Sequence, residues 1–359
     1  MPIEFIGMIG VKPEGADGAA VHVIGGEVDP AWVRDFSRAH ERAGFDKVLV
    51  GYTGTAAEGF VVASFAAAQT ERLGFLIAHR PGFVAPTLAA RKAATFDQFS
   101  GGRIALHIIT GGSDLDQGRD GDWLDHDTRY RRTDEYLTLM RRTWTEERPF
   151  DHAGEFYRVA KAYSEIKPVQ KPHVPLYFGG ASESAHRIGA KHCDVYMLWG
   201  EPLAAIRERI ATVRAAAAEW GRTPRVSVSL RPIIAPTEEQ AWDKAHRILA
   251  TVTAKQGDRT LPLPEAVGAQ RLVDFARRSD VHDKRLWTPI AAAVAGAGNT
   301  TALVGTPEQV AESLLDYYDL GVTTLLIRGF DPLHDAEEYG RELIPLVRRE
   351  VARRDRAAA

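Results

Sequence analysis

The chain has 359 residues, 45% of them hydrophobic and 26% charged, enough apolar material for a large core and too much for a disordered protein. Its 45 basic and 48 acidic side chains nearly cancel to a formal net charge of -3, which argues against a nucleic-acid surface and favours a small partner of modest charge. One cysteine, Cys193, excludes an internal disulfide framework and a cysteine metal cluster, and suits a reducing compartment.

The first residues, Met1-Pro-Ile-Glu-Phe-Ile-Gly7, read as a strand rather than as the basic-then-apolar start of a secretory leader. No uncharged apolar run reaches the length of about 18 residues that a membrane span needs, so a cytoplasmic, soluble protein is expected. Short β-branched runs bounded by turn residues predict strands at Glu4–Ile9, Lys47–Gly51, Leu73–Ala78 and Ile104–Thr110, then at Pro175–Gly179, Asp194–Trp199, Val226–Ile233 and Thr323–Arg328. Helical periodicity fills the gaps, for example at Pro30–Ala43, Pro86–Phe99, Pro202–Ala218 and Pro307–Leu320, each opened by a proline whose missing N–H costs nothing in a first turn. Eight strand–helix alternations imply a parallel sheet covered by helices. The count favours closure into an α/β fold of the (β/α)₈ barrel type over an open sheet. One domain, 1–359, is expected. Such a barrel needs roughly 250 residues, so the surplus falls into insertions after strand four (111–129) and before strand eight (254–300). The second contains Gly296, Gly298 and Asn299 and is expected to be mobile without substrate. The basic tail, 348–359, reads as a fraying helix end.

Barrel active sites lie where strands end at their C-terminal side, and those positions here are polar and rich in glycine. Strand four leads through His107 into Thr110-Gly-Gly-Ser-Asp114, strand five into Gly179-Gly-Ala-Ser-Glu-Ser184, and strand six into Trp199-Gly-Glu-Pro202. The Gly179–Ser182 turn, between a strand and a helix, aims N–H groups and a hydroxyl at an anion, a phosphate above all; the same residues also suit a plain turn with Ser182 as N-cap. It lacks the Lys-Ser/Thr of a triphosphate loop. His79 and His107 are candidates for proton transfer or for hydrogen bonding to a cofactor, with a structural role as the alternative. Asp122, Asp125 and Asp127 lack the glycine and terminal glutamate of a calcium loop, and no metal is expected. Cys193 reads as an inert small hydrophobe.

The segments Phe75-Leu-Ile-Ala-His-Arg-Pro81, Ala85-Pro-Thr87, Ala89–Thr95 and Ser100-Gly-Gly-Arg103 closely resemble the flavin-dependent alkanesulfonate monooxygenases of the bacterial luciferase-like class. Ile108–Asp114, Asp120-Gly-Asp122, Leu124-Asp-His126, Arg129-Tyr130, Pro175–Gly180, Trp199–Pro202 and Ala302-Leu-Val-Gly305 continue the likeness in order over almost the whole chain. The resemblance implies a monooxygenase that receives reduced flavin mononucleotide (FMNH₂) from a separate NAD(P)H-dependent flavin reductase and uses O₂ on a small organosulfur substrate, commonly with C–S cleavage. It implies a homodimer or homotetramer. By motif, the flavin phosphate is expected at the Gly180, Ala181, Ser182 and Ser184 turn with Tyr130 and His126, and the ring near Ala78, Thr110 and Trp199.

The departures bear on the substrate. The family's cysteine after strand two aligns with Ala56, its Arg-Leu-His after strand seven reads Ser229-Leu-Arg231, its Ser-Gly-Tyr after strand eight reads Arg328-Gly-Phe330, and its lid arginine has no counterpart near Ala293–Asn299. Arg231 and Arg328 are therefore read either as a relocated clamp for a sulfonate or as rim cations paired with carboxylates, with another substrate in the pocket. With His79 and Trp199 they complete the candidate catalytic set. An alkanesulfonate is the leading substrate class and a sulfone the next. A coenzyme F420- or FMN-dependent dehydrogenase and a non-catalytic flavin-binding protein are the alternatives outside oxygenation.

Overall fold

The computed structural model describes residues 3–13, 17–257, 261 and 264–358. Parts of the 254–300 segment and the last residue of the tail lie outside these.

Eight parallel strands, Glu4–Ile9, Lys47–Val50, Gly74–His79, Ile104–Ile108, Leu176–Gly179, Val195–Trp199, Arg225–Ile234 and Val322–Ile327, pair in sequence. The seventh pairs with both the sixth and the eighth, and the eighth with the first, so the sheet closes into a (β/α)₈ barrel. All eight coincide with the expected runs. Closure leaves no edge to protect, which is why these strands carry apolar residues on both faces.

The two faces bury different things. Ile6, Leu49, Leu76, Ala105, Tyr177, Val195, Met197 and Leu326 pack with one another inside the barrel. Their neighbours one position along, such as Phe5, Val48, Phe75, Leu106, Phe178 and Leu325, join the helices in the outer core. Side chains alternate along a strand. One further step toward the C-terminal end therefore puts Met8, Gly51, Ala78, His107, Gly179, Trp199, Ser229 and Arg328 around the barrel mouth.

The insertions show more order than a pair of loops. After strand four come the helices Asp114–Arg119 and His126–Thr145, followed by a hairpin of Phe150–Ala153 with Arg158–Ala162 that the periodicity does not reveal. Between strands seven and eight lie the helix Val267–Arg278, the short pair Val281–His282 and Leu286–Trp287, the helix Pro289–Ala293 and the strand Ala302–Gly305. That last strand exists because strand seven runs for ten residues, past the barrel rim. Its free end, Arg231–Ile234, needs partners and takes them in parallel from Ala302–Gly305. A separate apolar cluster, including Ile233, Trp287, Ile290, Val304 and Phe330, anchors this insertion to the rim. No helix among the described residues is long and apolar enough to cross a membrane.

Candidate active site

The residues expected around the turn after strand five lie close together in three dimensions. Strand five ends at Gly179, and the helix Glu183–His192 starts behind Ser182, whose hydroxyl accepts from the Ala185 N–H at 3.2 Å. The Gly180 carbonyl is pulled into the protein by Arg209 at 2.9 Å and the Tyr196 hydroxyl at 3.0 Å. A trans peptide carries its C=O and the next N–H on opposite sides, so this anchoring turns the Ala181 N–H outward. A Cβ at Gly180 would meet Ala185 Cβ at 2.5 Å and the Tyr130 hydroxyl at 3.5 Å, so the turn admits only glycine.

Tyr130 reaches the turn from the helix His126–Thr145. Its phenol hydrogen-bonds with Ser182, while burial raises its pKa and keeps it a neutral donor. The His126 ring lies 4.8 Å from that of Tyr130 and shares Asp127 with Ser184, at 3.0 Å and 3.1 Å. Tyr130, His126, Gly180, Ala181, Ser182 and Ser184 thus converge at one helix N-terminus, a place suited to anions by its free N–H groups and dipole. The neighbouring aspartates do not converge: Asp122 pairs with Arg132, and Asp125 caps its helix through Thr128. The one trio able to hold a metal among the described residues, His334, Asp335 and Glu338, already surrounds the Lys244 ammonium, 3.2 Å from both carboxylates.

Of the remaining candidates, Ala78 and Trp199 lie on the barrel mouth, Trp199 against Gly268 of the insertion helix. Thr110 is buried, its hydroxyl 3.4 Å from that of Thr133 and its carbonyl bound by Gln117 at 2.8 Å. His79 is a correction to the sequence reading. It follows inward-facing Ala78, so it points outward between strand and helices, shares a 2.8 Å hydrogen bond with the Tyr136 hydroxyl and meets the edge of Phe60. Burial lowers its pKa to about 4. His107 holds the inward position instead, with no hydrogen-bond partner among the described residues, and burial lowers it too to about 4.

The two arginines divide. Arg231 is 1% exposed and directs its guanidinium at five backbone carbonyls, which removes it from the clamp. Arg328 is half-buried at the mouth. It contacts Met8 Sδ at 3.0 Å and the Gly298 carbonyl, has no carboxylate partner among the described residues, and is lowered by burial to about 10. The Gly296–Asn299 run, expected to be free, is held by both arginines and by the Asn299 amide donating to the Ser229 carbonyl at 2.8 Å.

Sequence reasoning missed the network behind the turn. Buried Glu201 accepts a forked pair from Arg271 of the insertion helix, at 2.8 and 2.6 Å, and lies 3.7 Å from Arg209. Only Glu201, inside Trp199-Gly-Glu-Pro202, carried a signal; Arg209 and Arg271 look like ordinary helix-surface cations.

A closed parallel barrel with a glycine-bearing turn at a helix N-terminus after strand five has the architecture of an α/β-barrel enzyme. The model of the luciferase-like monooxygenases matches residues 5–324, and the chain belongs to that family, whose members are oxidoreductases. Among solved structures it is similar to a riboflavin lyase determined with modified FMN and riboflavin (20% identity, TM-score 0.79, covering 98% of this chain and 92% of that one). It is also similar to an EDTA monooxygenase from Chelativorans sp. BNC1 (19%, 0.77, 98% and 94%) and to an F420-dependent secondary alcohol dehydrogenase (16%, 0.69, 97% and 99%). At these identities the likeness is one of fold.

Proposed function

We propose that the protein is the oxygenase of a two-component system, taking FMNH₂ from a separate NAD(P)H-dependent flavin reductase and using O₂ to oxidise a small organosulfur anion, an alkanesulfonate first, with release of sulfite. The carrying observation is Arg328: a guanidinium at the mouth of a flavin-family barrel, against Met8 Sδ and the Gly298 carbonyl, with no carboxylate partner among the described residues. A half-buried cation without a carboxylate partner gains from a ligand that supplies the counter-charge, and a sulfonate offers the oxygens that a guanidinium fork matches.

The residues present fit FMN. The Ala181 N–H and the hydroxyls of Ser182, Ser184 and Tyr130 are the donors a phosphate dianion needs, and we read Ala78, Thr110 and Trp199 as the neighbours of the flavin ring. Bound FMNH₂ supplies the electrons that activate O₂. The chain's own task is to hold the phosphate, exclude water with Trp199 and the inner apolar layer, and orient the anion at Arg328. His107, lowered by burial to about 4, is neutral at pH 7 and adds no second cation at the mouth.

The exposed side chains Val61, Phe65, Leu88 and Phe99 flank a cleft of about 790 Å³ between the helices Gly59–Ala67 and Pro86–Ser100. We read this face as the contact of a homodimer or homotetramer. The buried, raised Cys193 thiol suits a reducing cytoplasm.

The test mixes the protein with a flavin reductase, NADH, FMN and a panel of sulfonates and sulfones, following sulfite and oxygen. Sulfite from a sulfonate supports the reading; oxygen consumed only to peroxide with every sulfonate removes the sulfonate assignment. The fold likeness to an F420 enzyme favours one second reading, a dehydrogenase; alcohol oxidation with F420 and no oxygen uptake would establish it.

A further inference from the structure

Arg231 is the most enclosed cation described. Nε donates to the Asn299 carbonyl at 3.1 Å, Nη1 to Ala20 at 2.8 Å and Gly329 at 3.4 Å, and Nη2 to Val21 at 2.5 Å and Gly298 at 3.1 Å. Its carbon centre lies 4.6 Å over the Phe330 ring. A guanidinium has five N–H donors in a rigid fork, and five carbonyls from three segments far apart in sequence use them. No carboxylate shares the charge among the described residues. Burial and the nearby Arg328 both press its pKa well below the usual value, so the enclosed charge is held against an opposing field.

The three segments meet beside Arg328: 20–21 after strand one, 298–299 of the insertion, and Gly329 just past strand eight. One acceptor is shared, since Arg328 Nη2 also donates to the Gly298 carbonyl. Wherever Arg231 holds Gly298, Arg328 comes to rest.

We propose that Arg231 is a positioning residue that fastens the 20–21 and 298–299 segments beside Arg328 and thereby fixes Arg328 as the one guanidinium presented to the substrate anion. The second half rests on the reading of Arg328 given above; the first does not. A lysine in its place offers a single point charge with three donors and no fork, and cannot hold five carbonyls in three directions.

The experiment compares Arg231→Lys and Arg231→Met with wild type in the full chain, by hydrogen exchange on peptides spanning 17–24 and 294–301 and by kcat and KM for the sulfonate turned over most rapidly. The expected result is exchange at least about tenfold faster in those two segments and unchanged elsewhere, with KM raised about tenfold and kcat within about twofold. Exchange left unchanged in both segments overturns the proposal. So does a lowered Tm with KM intact, which is a merely structural role. Should the Met variant not fold, Gly298→Ala keeps Arg231 but spoils the shared joint: φ is +67° there, and the new Cβ would lie 2.9 Å from the Val21 carbonyl. It is expected to give the same pattern, and a silent Gly298→Ala overturns the proposal equally. If wild type turns over no sulfonate, the exchange measurement alone decides the fastening, and it is the anion reading that fails.

Discussion

Arg209 holds the Gly180 carbonyl at 2.9 Å from behind, which makes a helix residue with no view of the barrel mouth responsible for the direction of the Ala181 N–H in the Gly180–Ser184 turn. The same guanidinium lies 3.7 Å from Glu201, which Arg271 grips from the insertion. That turn and the insertion are therefore parts of one buried charge network.

Replacing Arg209 by Met removes a charged donor worth about 1.5–3 kcal/mol to its acceptor. Only the Tyr196 hydroxyl would then hold the carbonyl, and the peptide is free to rotate. The expected outcome is a Kd for FMNH₂ raised about tenfold or more, at about 1.4 kcal/mol per decade, with the Kd for reduced riboflavin, which has no phosphate, unchanged. Anaerobic fluorescence titration of both flavins checks this. Equal weakening for both would place the phosphate elsewhere.

His40, His79 and His107 are each lowered by burial to about 4. Between that value and the unfolded one near 6.5, the unfolded chain binds more protons than the native one, so stability rises with pH through this window and is flat above it. Thermal melts are expected to give a constant Tm from pH 8 to about pH 6.5 and a steep fall toward pH 4.5. His40→Asn, which removes a group far from the mouth, should soften the fall. A Tm that drops on going from pH 6 to pH 7 would contradict the neutral state of these imidazoles.

What was legible in the sequence follows from which physics leaves a local trace. The eight barrel strands are apolar on both faces, and each stands out as a short apolar run. Their ends shift by a residue or two because turn chemistry, not hydrophobicity, sets them. The Arg158–Ala162 strand was invisible since its apolar and polar residues do not alternate with period two and only Val159 is β-branched. The Gly180–Ser184 turn was legible because it is contiguous with its helix N-terminus, whereas Tyr130, on a separate helix, was joined to it only through the family resemblance. His79 was misread for want of parity: with Ala78 inward, the next residue must point to the helices. Arg231 was beyond reach for a different reason. Its partners are backbone carbonyls from residues 20–21, 298–299 and 329, and a carbonyl has no sequence signature.

Phe99 is 90% exposed at the end of the helix Pro86–Ser100, beside a cleft lined by Phe60, Leu88 and Phe96 on the same face. Projection and hollow on one surface allow a two-fold contact in which each copy fills the other. Phe99→Glu is expected to convert the assembly to monomers in sedimentation velocity, with catalytic activity per chain reduced less than about twofold, since the face is remote from the mouth. A wild-type monomer at micromolar concentration would dispose of the interface.

Arg328 carries the sharpest prediction because its carboxylate-free setting is what separates an anion site from an ordinary rim cation. Arg328→Met keeps the length and apolar contact with Met8 while deleting the charge. A lost charge-assisted contact of about 2–3 kcal/mol corresponds to a 30- to 150-fold loss in kcat/KM for a sulfonate. The loss should fall mainly on KM if the contact is equally strong in ground and transition states. Arg328→Lys restores charge but not the fork, and should recover part of the loss. Neutral sulfones test the logic from the other side, because the Met variant should discriminate between a sulfonate and the corresponding sulfone less than wild type does. If Arg328→Met lowers turnover of both alike, the guanidinium shapes the pocket without binding the anion.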